Sequence, residues 1–260
     1  MRLDLILEKL EEMSPPGYAQ KWDNSGLLVG RRDKEVKTVY IALDATGEVI
    51  REAKRAGADL LLTHHPLIFR DLKRVSSEDF VGKRVWKLAA ADICLYAMHT
   101  NFDVMGMADA AADTLGLKQR EVLEVTFEDE ISKEGFGRCG RLPSLMSLDE
   151  CAEYVKEKFE IESVRVFGDG ELEVEGAAIL PGSGSSMIGE AIAKGAEVMI
   201  TGDISHHEGI DAWEQGLAVI DAGHYGLEKI FIPYMEEFMR RHFPELTIIK
   251  DQPRSPFHLV

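Results

Sequence analysis

Two histidines are each followed four residues later by a carboxylate: His99 by Asp103, and His224 by Glu228. Each pair comes after an apolar run, Ile93 to Met98 in one case and Leu217 to Ala222 in the other. A third apolar run, Asp59 to Thr63, ends in the adjacent pair His64-His65. Imidazole nitrogens and carboxylate oxygens are the ligands that zinc, iron, manganese or nickel accept. Five or six such donors exceed the four of a tetrahedral structural site. They suit two divalent ions about 3.5–4 Å apart with positions left for water. Two divalent metal ions are therefore expected, and hydrolysis by metal-activated water is the chemistry they would support. The donor types leave the identity of the metal open.

Each residue also has a simpler role. Neighbouring side chains on a strand point to opposite faces, so His64 and His65 converge only if the backbone turns before Pro66. Otherwise they are polar residues at a loop entrance. His224 and Glu228 share a face if a helix begins near His224, and an acid in a first helical turn is also favoured by the dipole alone. Asp103 equally suits a cap for a helix after Gly106, and His99 a core histidine satisfied by hydrogen bonds. His206-His207 follow Thr201-Gly202-Asp203 and are weaker candidates. The loop Pro181-Gly182-Ser183-Gly184-Ser185-Ser186 lacks the lysine of a P-loop and reads as a connector.

Positioning these groups falls to alternating strands and helices, the mark of an α/β fold. Lys37–Asp44 reads as a buried strand, Glu48–Ala56 as a helix stopped by Gly57. Gly82–Ala91 and Gly106–Leu115 read as further helices. From Glu121 to Leu142 the pattern weakens into antiparallel strands or turns. Ser147 three residues before Glu150 then offers a capping box. Strands are expected at 163–167 and 172–180. Glu190–Thr201 repeats Glu52–Thr63 with a shift of about 138 residues, too long for a solenoid repeat. The expectation is two similar α/β domains related by internal duplication, with the metal site in the cleft between them. Their approximate bounds are residues 1–125 with 225–260, and 126–224.

A chain of 260 residues, 45% apolar and 29% charged, can bury a sizeable core. Three scattered cysteines, with no CxxC pair, read as reduced thiols. The first ten residues carry acids within an apolar stretch and suit an amphipathic helix better than a signal peptide. No apolar run nears the roughly 20 residues of a membrane span, so no membrane partner and a cytoplasmic location are expected. Thirty basic residues against 46 acidic ones, a net charge of −16, weigh against a surface that tracks nucleic-acid phosphates.

Taken together, Trp22-Asp23-Asn24-Ser25-Gly26-Leu27-Leu28-Val29-Gly30, Thr63-His64-His65-Pro66, His99-Thr100-Asn101-Phe102-Asp103, Thr201-Gly202-Asp203 and Asp221-Ala222-Gly223-His224 with Glu228 resemble the GTP cyclohydrolase I type 2 homologs. This is the Ngg-interacting-factor-like family, here in a compact form without the inserted domain of some members. The resemblance implies a dinuclear metal site held by His64, His65, Asp103, His224 and Glu228. His99 would lie beside it, either supporting the ligands from behind or transferring a proton. It also implies a ring-shaped homohexamer, a trimer of dimers. A small substrate, a nucleotide or cyclic amide, is the matching expectation. The rival readings are a ring-shaped scaffold with structural metals, DNA-binding in one version, and metal storage or delivery.

Overall fold

Runs such as Leu60–Thr63 and Cys94–Ala97 are buried at every position, the pattern of parallel strands covered on both faces. The computed structural model describes residues 1–252 and 255–258. In chain order the elements begin with α1 (Leu3–Met13), β1 (Gly26–Val29), β2 (Thr38–Ala42), α2 (Gly47–Arg55), β3 (Leu60–Thr63), α3 (Phe80–Ala90), β4 (Cys94–Ala97) and the short α4 (Thr100–Phe102). A π-helical stretch, Asp103–Met107, leads into α5 (Ala108–Leu115). Then come β5 (Lys118–Glu128), β6 (Lys133–Ser147), α6 (Leu148–Phe159), β7 (Arg165–Phe167), β8 (Glu173–Ser183) and α7 (Ile188–Ala193). The order ends with β9 (Val198–Gly202), α8 (His206–Glu214), β10 (Ala218–Asp221), α9 (His224–Glu228), α10 (Phe231–His242) and β11 (Thr247–Lys250).

The chain divides into two units. The first comprises Met1–Phe102 with the chain from Phe231 through β11. Its sheet has the order β1-β4-β3-β2-β11, parallel except for β1. Tyr40, Leu61 and Leu95 face one side and share a cluster with Val49, Ile50 and Ala53 of α2 and Leu88 of α3. The alternate residues Val39, Ile41, Leu60 and Leu62 are also fully buried, as period-two alternation requires of a sheet covered on both faces. Helix α2 starts where the Thr46 side chain accepts from the Val49 N–H at 3.1 Å. Gly57, at φ +68°, lies just past its end, a backbone angle that glycine adopts without a Cβ clash. Helix α1 buries Leu3, Ile6, Leu7 and Leu10, the single apolar stripe expected of it.

The second unit is Asp103–Ile230. Its sheet runs β5-β6-β8-β9-β10-β7, with β8, β9 and β10 parallel. Ala177, Ile179, Val198, Ile200 and Ile220 pack with α5 and α6. Ala178, Leu180, Met199 and Val219 pack on the opposite face with Ala191 of α7 and Ala212 of α8. The Ser147–Glu150 capping box opens α6 as expected.

The duplication is visible in topology. Each unit has a parallel strand-helix-strand-helix-strand series, β2 to β4 and β8 to β10, with an antiparallel strand beyond its last member. The division falls at 102/103 and 230/231, where the sequence suggested 125/126 and 224/225. Two pairings account for the shift. Strand β5 pairs with β6, and Ala111, Ala112 and Leu115 of α5 join Leu227 of α9 in the second unit's core. A helix cap for Asp103 is also corrected: the backbone is already helical from Thr100, and α5 has no side-chain cap. Among the described residues no helix is long and apolar enough to cross a membrane.

Candidate metal centre

In an open α/β sheet, ligands bind beyond the carboxyl ends of the parallel strands. In the first unit that edge carries Asp44 after β2, His64 and His65 after β3, and His99 after β4. In the second it carries Asp203 after β9 and His224 after β10.

His64 and His65 leave β3 at a bend, so their rings converge, with centroids 4.8 Å apart. One ring nitrogen each of His64, His65 and His99 lies within 4.8 Å of the others. Fixed acceptors orient all three rings. His64 Nδ1 donates to the Met98 carbonyl at 2.7 Å, His65 Nδ1 to Asp44 Oδ1 at 2.9 Å, and His99 Nδ1 to Asp23 Oδ1 at 2.8 Å. With the proton held at Nδ1, Nε2 carries the lone pair, the tautomer of a metal-ligating or proton-accepting histidine.

The side chain of Asp23 is fully buried. Burial works to raise its carboxyl pKa, but hydrogen bonds from His99, Thr100 and Ser25 outweigh this and hold it far below the usual carboxylate range. Oδ2 accepts from the Thr100 N–H at 3.1 Å, the Thr100 hydroxyl at 2.5 Å and the Ser25 hydroxyl at 2.8 Å.

In the second unit His224 opens α9, and its Nε2 lies 3.0 Å from Oε2 of the buried Glu228, one turn on. His224 Nδ1 donates to Asp203 Oδ2 at 2.8 Å. Two glycines make room: a Cβ on Gly202 would sit 2.4 Å from the His224 backbone nitrogen, and one on Gly182 would sit 2.7 Å from Glu228 Oε1. Asp103 opens the π-helical stretch, a wide turn that recurs at functional sites. His206 and His207 are exposed at the start of α8, whose capping box uses Ser205 and Glu208. They join none of the candidate metal-holding groups among the described residues. The donor set fits a transition metal: imidazoles of fixed tautomer in one unit, and an imidazole–carboxylate pair in the other.

The Duf34/NIF3 (NGG1p interacting factor 3) family model matches residues 1–254. The chain belongs to this family. A DUF34/NIF3 relative from Clostridium perfringens, named GTP cyclohydrolase 1 type 2 homolog, is 33% identical over 264 residues and 100% of both chains. A Lactococcus lactis relative of the same name is 34% identical over 99% of both. Among solved structures, the Bacillus cereus protein related to NIF3 matches with a TM-score of 0.91 and 26% identity over 100% of this chain and 99% of that one. Reduced HcgD from Methanocaldococcus jannaschii matches with a TM-score of 0.81 and 34% identity over 96% and 97%. The family resemblance drawn from the motifs and the two-unit α/β fold are thereby shown.

Asp44 and Asp203 are orienting residues to which the sequence assigned no role, although Asp203 ends the Thr201-Gly202-Asp203 motif. Each stands 21 residues before the histidine it orients. In both cases an acid at the end of one parallel strand faces a histidine at the end of the next.

Proposed function

We propose that the protein is a metal-dependent hydrolase in which His64, His65, Asp103, His224 and Glu228 hold two divalent ions. The observation that carries this reading is the cluster of His64, His65 and His99, each with Nδ1 tied to an acceptor. Such outer partners fix tautomer and ring orientation in metal sites. Divalent ions supply Lewis acidity and acidify water towards a pKa of about 7.

The chain's own residues do the rest. Asp44 and Asp203 hold His65 and His224 in register. His99 takes a proton at Nε2 from the attacking water and returns it to the leaving nitrogen or oxygen. Asp23, kept ionised by its hydrogen bonds, stabilises the imidazolium that results. The substrate is a small molecule with a hydrolysable ring C–N, amide or phosphoester bond. Six chains of 29.0 kDa assembled as a trimer of dimers form the working particle in this reading. The net charge of −16 weighs against nucleic acid as a partner.

The test is a turnover screen over cyclic amides, nucleotides and phosphoesters. Replacing His99 with alanine should lower kcat by about 10²- to 10⁴-fold while metal content stays unchanged. Equal turnover by a metal-free variant contradicts the reading.

A further inference from the structure

Two large aromatic rings stand exposed beside the most catalytically suited histidine, and both are pinned from behind. Trp22 is 59% exposed and Phe69 52% exposed. Their ring centroids are 5.8 Å apart, and each meets His99 edge-on, at 6.0 Å from Trp22 and 6.4 Å from Phe69. At 5.8 Å the two rings are in mutual contact but tilted by 54° to each other, so nothing inserts between them, and a flat ligand that stacks on one ring meets the other at an angle.

The backbone beneath is fixed by partly buried polar bonds. Asp23, next to Trp22, accepts from His99, Thr100 and Ser25. Asn24 Nδ2 donates to the carbonyl of Ile68, next to Phe69, at 2.6 Å. Asn24 thus ties the two aromatic loops together, and Asp23 ties both to His99. Solvating two such rings is unfavourable. Rigid apolar surface converging on a few oriented polar groups is the make-up of a small-molecule site.

We propose that Trp22 and Phe69 form a stacking shelf for a planar heterocyclic ring, which presents its reactive edge to His99. The inference rests on the hydrolase reading for placing a substrate at His99, and adds the chemical class of that substrate. A ring is favoured over an aliphatic ligand because both exposed groups are aromatic, and stacking on an aromatic side chain tolerates any flat base or fused ring.

The test uses the full-length, metal-loaded protein and tryptophan fluorescence titrations with guanosine, uridine and a pterin. Ribose, which lacks the planar heterocycle, is the control. At least one ring compound should bind better than the control. Trp22→Ala should weaken it by on the order of tenfold or more, Trp22→Phe by only a few-fold, and Phe69→Ala by an intermediate factor. Because Trp22→Ala removes a reporter, its affinity is read by equilibrium dialysis, with metal content and sedimentation measured alongside. No preference for ring compounds overturns the shelf. So does unchanged affinity in Trp22→Ala, or a change in sedimentation with binding intact, which would make the patch an interface between copies. Ring binding that depends on Trp22 in a protein that holds no metal would uphold the shelf and defeat the metal reading separately.

Discussion

Asp23 Oδ1 lies 2.8 Å from His99 Nδ1, although 76 residues separate the two. The same carboxylate receives the Thr100 and Ser25 hydroxyls, so the loop after Trp22 and the end of β4 are joined through one buried charge. Replacing Asp23 with asparagine should cost about 1–3 kcal/mol, because buried donors lose a charged acceptor. A pH dependence follows. The folded carboxyl is held below its unfolded value of about 3.9. Its contribution is therefore fully present above that value and is lost as pH falls through the folded one. Denaturant titrations below about pH 4 should show this loss in the wild type and its absence in Asp23→Asn.

Asp44 and Asp203 should behave as orienting groups. Replacing either with alanine frees the ring of His65 or His224 to rotate, and should weaken metal affinity by about 10- to 100-fold. Competition with a chromogenic chelator measures this. Circular dichroism should show the fold retained, since about half of each side chain is open to solvent.

Gly202 should tolerate no side chain. A Cβ there would meet the backbone of Gly223 and His224 at 2.4–2.8 Å, and backbone cannot swing aside as a flexible side chain can. Gly202→Ala is expected to destabilise by about 1–3 kcal/mol in denaturant unfolding. Gly189→Ala, with nothing within 4 Å of its Cβ, is the control and should cost nothing.

The three cysteines should be inert in the native protein. All are buried. Burial pushes the Cys151 thiol up to about 12, and burial together with Glu121 pushes Cys139 up to about 11. Thiolate is the reactive form. Labelling with a disulfide reagent at neutral pH should therefore be slow for the folded chain and should reach three thiols on denaturation.

Local chemistry made much of this fold legible. Ser147 with Glu150, Gly57 past its helix and the fully apolar strands each act over a few residues. The repeated Gly-Ala-acid turn revealed the duplication for the same reason. What stayed hidden depends on topology. The pairs Asp44–His65 and Asp203–His224 meet only because neighbouring parallel strands end side by side. Asp23 reaches His99 only because β1 folds back against β4. The start of the helix at Thr100 was masked by Gly106, which sits inside the π-helical stretch instead of before the helix. At the site, the motifs named His64, His65, His99, Asp103, His224 and Glu228, and assigned no role to the carboxylates of Asp23, Asp44 and Asp203 that orient three of the histidines.

Elemental analysis of the purified full-length protein, wild type beside His64→Ala and Glu228→Ala, tests the central claim most directly. The account predicts about two divalent ions per wild-type chain and loss of metal from both variants, since one ligand is taken from each unit. Wild-type protein that binds no divalent ion after metal supplementation, or variants that keep the full wild-type complement, would contradict it.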